Sequence, residues 1–375
     1  MRPCLSLLLL ATVASQTLAQ GTSQKAIALS APNATLDAEF TSISAVRELA
    51  DGRVLVLDQA EKKLFVADWA RGSVTPVGRN GSGPGEYRQP SSLLPIAGDS
   101  TILSDWQSGR WLVLSHAQIA ETIGPDAPAM VAGARRLLGA DNSGRVIFTR
   151  GLGSTAGATA ARPRLDSTLL LRAARANGRV DTVGTMRARK AELRVQGPAD
   201  NPTSVEIVTH PLSSPEQAAL FADGWIAIAR QDPYRVDWRA ADGRRVLGKP
   251  LPFERVRLDA GEQEAFMERQ ATRTGNPKRD PRSYANWPEV FPPYLMEALL
   301  PAPDGRLWIR RPPSAEHIAP PYDVIDRTGQ LVERVSAGEN VHVVGFGRAS
   351  IYTVATDEDG IQRLQRRPYA RAALR

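Results

Sequence analysis

Five short turns recur along this chain: Asp51-Gly52-Arg53, Ser143-Gly144-Arg145, Asn177-Gly178-Arg179, Asp242-Gly243-Arg244 and Asp304-Gly305-Arg306. Each joins two runs rich in Val, Leu, Ile or Trp. Glycine reaches the positive φ that a tight strand reversal needs, so each turn reads as a β-hairpin. Hairpins repeated at a quasi-regular spacing imply a radial β repeat.

Six units follow from that spacing. The first runs Ser42–Leu49, Arg53–Asp58, Lys63–Asp68 and Ser73–Gly78; the second Ser91–Ala97, Ser100–Asp105, Arg110–Ser115 and Glu121–Gly124. The third runs Arg135–Ala140, Arg145–Arg150, Ser167–Ala174 and Arg179–Thr185; the fourth Gln217–Ala222, Gly224–Arg230, Tyr234–Ala240 and Arg244–Leu251. The fifth runs Met296–Pro301, Arg306–Arg311, Tyr322–Asp326 and Gln330–Val335. The sixth has three runs only: Asn340–Phe346, Ala349–Ala355 and Ile361–Arg366. Four-stranded units at this period predict an all-β fold, a six-bladed β-propeller. The strand absent from the sixth unit is expected from the N-terminal side, where Lys25–Leu29 would complete the last blade and close the ring.

Residues 1–19 read as a secretory signal: Arg2, then the apolar stretch Leu5–Val13, then the small-residue site Thr17-Leu18-Ala19. The apolar run is too short to span a bilayer. A periplasmic or extracellular product is expected, with residues 20–375 forming one domain. Cys4 is the only cysteine, so cleavage would leave no disulfide, thiolate metal site or cysteine nucleophile. The chain would rest on its core alone, and with 42% hydrophobic residues it has the material for one.

The stretch Gly78-Arg79-Asn80-Gly81-Ser82-Gly83-Pro84-Gly85-Glu86-Tyr87-Arg88-Gln89-Pro90 resembles the inter-blade loop of NHL-like six-bladed propellers of the bacterial secreted type. Asp304-Gly305-Arg306-Leu307-Trp308-Ile309 is similar to the same group. The resemblance implies the fold and leaves the activity open, because one propeller scaffold hosts many functions.

In a blade with strands a to d, the a–b and c–d turns share one face, and the b–c loops and d–a crossings share the other. All five glycine turns fall on the first face. The long insertions Gly151–Asp166, Met186–Pro215, Pro252–Leu295 and Pro312–Pro321 all fall on the second, which marks it as the binding face. A short helix is expected within Asp259–Arg273, capped by Asp259 with Glu262 three residues later.

The insertions are basic, in keeping with a formal net charge of +7 and a pI near 9.8. Arginine forks grip carboxylates and phosphates. Candidate ligand-binding residues are therefore Arg150, Arg230, Arg310, Arg311, Trp287 and His317, for an anionic small molecule, glycan or protein. Trp287 can equally pack the insertion onto its blade. A monomer is expected.

No catalytic pattern stands out. The glycine loop at 78–85 lacks the Gly-Lys-Ser/Thr of a phosphate loop and reads as a flexible connector. His116, His210, His317 and His342 form no zinc spacing. No nucleophile elbow is present. Nucleic-acid binding is disfavoured by the export signal and by the absence of aromatic-basic interleaving. No cofactor is predicted. The alternative is a calcium-dependent hydrolase or lyase of the six-bladed lactonase type, with Asp58, Asp105, Asp232 and Asp357 near the ends of second strands as ligands. These four also read as ordinary b–c turn residues, and Arg150 and Arg310 hold the corresponding places in the other two blades.

Overall fold

The computed structural model describes residues 25–96, 98–127, 136–141, 144–151, 167–174, 177–188, 191–198, 203–209, 212–274, 277–284, 287–315 and 317–369. The signal segment, Cys4, His210 and the Gly151–Asp166 loop beyond residue 151 lie outside them.

The strands form six antiparallel four-stranded blades. Blade 1 is Ile43–Glu48, Val54–Asp58, Lys63–Asp68 and Ser73–Pro76; blade 2 is Pro90–Pro95, Ser100–Asp105, Arg110–Ser115 and Gln118–Ile123. Blade 3 is Arg136–Ala140, Arg145–Gly151, Ser167–Ala174 and Val180–Arg187; blade 4 is Gln217–Leu220, Ile226–Gln231, Tyr234–Arg239 and Arg245–Val246. Blade 5 is Leu299–Pro301, Leu307–Arg310, Tyr322–Ile325 and Leu331–Ser336. Blade 6 is Val341–Phe346, Ser350–Thr356 and Gln362–Pro368, with Ala34–Thr35 as its outer strand. The first strand of each blade contacts the first strand of the next all the way round, so the ring is closed.

The second strands show why these residues make blades. Val54-Leu55-Val56-Leu57 does not alternate, because all four side chains are buried. Leu55 and Leu57 face blade 2 and pack with Leu93, Leu103 and Leu112, whereas Val54 and Val56 face blade 6 and pack with Tyr352 and Val354. A sheet covered on both sides reads as a continuous apolar run. Each of the six seams between neighbouring blades has its own hydrophobic cluster of this kind among the described residues.

Four of the five recurring turns form as expected, and the fifth does so at Gly144 and Arg145, its Ser143 lying outside the described residues. Gly52, Gly144, Gly178, Gly243 and Gly305 all take positive φ, between 67° and 93°. Asp51, Asn177, Asp242 and Asp304 each accept a hydrogen bond from the backbone N–H of the arginine two residues on, at 2.9–3.1 Å.

Ring closure is as expected in kind and differs in residue. An N-terminal strand does complete blade 6, but it is Ala34–Thr35, antiparallel to Arg366 and Gln365. The predicted strand pairs elsewhere: Ile27 and Ala28 run parallel to Val335 and Ser336, on the outer edge of blade 5. The physical reason is burial. Ile27 and Ala28 are exposed, whereas Leu36 and Phe40 are 2% and 5% exposed and enter the cluster between blades 6 and 1. Phe40 and Gln362 exchange both backbone hydrogen bonds, at 2.9 Å each.

The glycine loop at 78–90 is a knitted structure, not a flexible connector. Arg79–Asn80 pairs in parallel with Glu86–Tyr87. The Arg110 guanidinium donates to the carbonyls of Ser82, Gly81 and Glu86 at 2.8, 3.3 and 2.7 Å. The buried Tyr87 hydroxyl donates to the Val77 carbonyl and accepts from the Leu64 N–H. The crossing after blade 3 is likewise no loop: Ala191–Gln196 and Ser204–Thr209 form a two-stranded hairpin.

Candidate functional site

The insertion Pro252–Leu295 stands on a two-stranded stem, in which Leu258 and Phe291 donate backbone hydrogen bonds to Glu289 and Val256 at 2.9 and 3.0 Å. Helix α1 spans Ala260–Thr274, within a residue of its expected limits. Asp259 caps it by accepting from the Glu262 N–H at 3.0 Å. The Glu262 side chain does not complete a capping box. It is buried and accepts from the Ala315 N–H through both oxygens, at 2.9 Å each. The insertion is thereby fastened to the b–c loop of blade 5.

Trp287 belongs to the insertion's own core. Its indole donates to the Pro281 carbonyl at 3.0 Å and meets Phe266 and Tyr284 edge-on. Leu212, Leu258 and Phe291 complete that cluster. His317 is exposed on the fastened b–c loop, where its N–H donates to the Ser314 hydroxyl at 3.0 Å.

The candidate arginines divide sharply. The Arg230 guanidinium lies between two buried carboxylates, donating to Glu216 and, at 2.9 Å, to Asp237; a third bond goes to the Thr185 carbonyl. Arg311 sits against the fully buried Asp323 at 3.9 Å, stacks over Phe253 and Tyr234 with its central carbon 5.0 and 5.5 Å from the ring centroids, and donates to the Pro293 carbonyl. Both hold loops to blades. Arg150 is exposed at the end of a second strand. Arg310 ends the second strand of blade 5, and no carboxylate among the described residues lies within 4.0 Å of it.

Around Arg310 the site takes shape. Its register partner is Tyr322, whose hydroxyl accepts from the Val343 N–H at 2.9 Å. Val343 lies on the innermost strand of blade 6, and beside it is His342. Burial, then the Arg310 charge, lower the His342 imidazole to about 4. It is therefore neutral at neutral pH. This depressed value makes a pH prediction. Below about pH 6.5 the unfolded chain protonates His342 while the folded chain resists until about pH 4, so stability is present above 6.5 and falls across that window, by about 1.4 kcal/mol per unit of difference. Urea midpoints at pH 7 and 4.5 are expected to fall further for the native chain than for His342→Gln. Equal falls would refute the assignment.

The four carboxylates proposed from sequence lie in different surroundings. Asp58 is buried and accepts from the N–H groups of Thr41, Ser42 and Glu61 at 2.7, 3.2 and 3.1 Å. Asp105 repeats this in blade 2, accepting from Arg88 and Gln89 at 3.1 and 2.8 Å, with Arg110 at 3.5 Å. Burial would raise the Asp105 carboxyl, and these donors outweigh it and hold it below the usual range. Asp357 is exposed and closes its own turn, accepting from the Ile361 N–H at 2.9 Å. Asp232 is exposed at a cis bond to Pro233. Among the described residues, no group of three or more His, Cys, Asp or Glu side chains is gathered as a metal site requires.

Two features of this face were missed from sequence. Trp106, in the b–c turn of blade 2, is 70% exposed, and Ile318, beside His317, is 67% exposed. The insertion's return also crosses the end of blade 4: the Tyr294 hydroxyl donates to the Ala229 carbonyl at 2.7 Å, and the Gln217 amide to the Leu295 carbonyl at 2.6 Å. An exposed tryptophan after a strand-ending Asp had a signal, Asp105-Trp106. The return contacts are long-range and had none.

Residues 32–95 match a family model described as a 6-bladed beta-propeller. No curated protein sequence matches the chain. Among solved structures, the chain is similar to the calcium-binding protein regucalcin from Agrobacterium tumefaciens, with 12% identity, 93% of this chain and 99% of that one covered, and a TM-score of 0.44. It is also similar to virginiamycin B lyase from Staphylococcus aureus, with 10% identity, coverage of 88% and 97%, and a TM-score of 0.43. No helix of the described residues is long and apolar enough to cross a membrane.

Proposed function

We propose that the chain is a secreted or periplasmic binding propeller whose loop-bearing face takes an anionic small molecule, glycan or protein, with Arg310 as the cation that meets the ligand's negative group. The observation that carries this reading is the contrast among the arginines. Arg230 and Arg311 already face carboxylates of their own chain, and among the described residues Arg310 faces none. A half-buried guanidinium with no carboxylate partner among the described residues keeps its fork ready for an incoming carboxylate or phosphate. The enlarged loops around it supply a rim on a rigid base.

The test compares the native chain with Arg310→Ala and Arg310→Lys against a panel of uronates, phosphosugars and acidic peptides. A charge-assisted hydrogen bond contributes about 1.5–3 kcal/mol, so Ala is expected to weaken binding about 10- to 150-fold. Lys keeps the charge, loses the fork and should fall between. Unchanged affinity in Arg310→Ala overturns the reading. Replacing Arg311 as well would confuse the result, because it strips a partner from buried Asp323.

A further inference from the structure

A cleft of about 680 Å³ opens on the opposite, turn-bearing face, where the ring is sealed. Asp51, Arg53, Asp68, Trp69 and Arg71 line it from blade 1, and Arg366 from blade 6. Arg53 and Arg71 are neutralised within their own turns, by Asp51 at 2.7 Å and Asp68 at 2.8 Å. Arg366 is not. Its central carbon lies 5.2 Å from the Trp69 ring centroid, and its Nε makes one long bond, 3.4 Å, to the Asn33 side chain. Its two terminal nitrogens donate to no protein acceptor among the described residues. Trp69 is fixed in turn by stacking on Tyr352, with centroids 6.3 Å apart.

The same face shows what such an arginine does when its anion comes from the chain. At the seam of blades 4 and 5, Arg327 lies 4.7 Å from the Trp225 centroid and donates to the Asp223 carboxylate at 2.6 Å. At the seam of blades 6 and 1 the tryptophan and the arginine are present, and no carboxylate of the described residues pairs with Arg366, since Asp51 and Asp68 are held by Arg53 and Arg71, beside a cleft of small-molecule size.

We infer that this cleft binds a small ligand through a single oxyanion group, a carboxylate or a phosphate monoester, gripped by the Arg366 fork. Arg366 is preorganised by the indole beneath it, and a planar fork over an aromatic face suits bidentate anion capture. The ligand would touch the first and the last blade together. This site is independent of the one around Arg310.

The test is isothermal titration with glucuronate, glucose 6-phosphate and glucose, which share a sugar and differ in the anion. Glucuronate or glucose 6-phosphate is expected to bind and glucose not, and whichever acid binds identifies the anion's source. Arg366→Gln should weaken that binding at least about tenfold, and Arg366→Lys less. All of these titrations are made in chains that also carry Arg310→Ala, so that the anion site proposed on the opposite face does not contribute. Circular dichroism checks that the variants fold, and Trp69→Phe should remove the accompanying change in tryptophan fluorescence. The inference is overturned by equal binding in the Arg310→Ala chain and the Arg310→Ala/Arg366→Gln chain, or by no binding of either acid to Arg310→Ala at millimolar concentration.

Discussion

A chain shortened to begin at Ser42 is expected to lose the folded state under conditions where one beginning at Ala31 keeps it. The shorter chain lacks the outer strand of blade 6 and the buried side chains of Leu36 and Phe40. Removing buried leucine and phenylalanine side chains costs about 2–5 and 3–5 kcal/mol respectively. Together with the lost backbone bonds from Asn33, Leu36 and Phe40 to blade 6, the deficit rivals a typical domain's whole stability of about 5–15 kcal/mol. The chain beginning at Ala31 loses only the exposed pair Ile27–Ala28, the Leu29 contacts and the Ser30 carbonyl that Arg367 donates to at 2.7 Å. Its thermal midpoint should fall by a few degrees. Phe40→Ala in the full chain gives the same answer without truncation, with an expected loss of about 3–5 kcal/mol in urea. Similar midpoints for the two shortened chains would show that the seal lies elsewhere.

Asp323→Ala is expected to cost about 3–5 kcal/mol, the range for breaking a buried ion pair from one side. Asp323 is fully buried on the third strand of blade 5. It accepts from the Tyr234 hydroxyl of blade 4 and from Arg334, both at 2.9 Å, and faces Arg311 at 3.9 Å. Burial first, and the Asp323 charge second, push the Tyr234 hydroxyl well above its ordinary value, so it stays a donor. Alanine would leave two guanidinium groups and a phenol without their acceptor at the seam of blades 4 and 5. Asp323→Asn keeps one acceptor oxygen and should cost less. Urea unfolding of the three chains measures the order; a loss below about 1 kcal/mol for alanine would show that solvent replaces the carboxylate.

Much of the architecture was legible because the repeat is written in local signals. The glycine turns set hairpin positions, and the both-sided burial of Val54–Leu57 made a second strand visible as a run. The signal failed where the same geometry is reached by other residues. In blade 2 the c–d reversal uses His116 and Ala117, both at positive φ without glycine, so the last strand was expected at Glu121 and begins at Gln118. The closing strand was misplaced because Lys25–Leu29 looks more strand-like than Asn33–Phe40. What selects the latter is the pocket for Leu36 and Phe40, made by residues about 300 positions away. The candidate site was legible only as residue types. That Arg310 meets no carboxylate among the described residues while Arg230 meets two depends on Glu216 and Asp237 reaching one guanidinium across three strands, which no spacing encodes.

The bridge between Phe40 and Gln362 joins residues separated by almost the whole polypeptide. A chain made from its N-terminus therefore carries an unmatched edge through synthesis of the first five blades. The last step of assembly is a long-range search, end finding end, and is slow for its stability because the loop it closes is the molecule itself. Until then Leu36 and Phe40 are adhesive, and a neighbour's unfinished sixth blade would accept them as readily as their own. At high concentration during refolding, exchange of this short segment between molecules is the expected by-product.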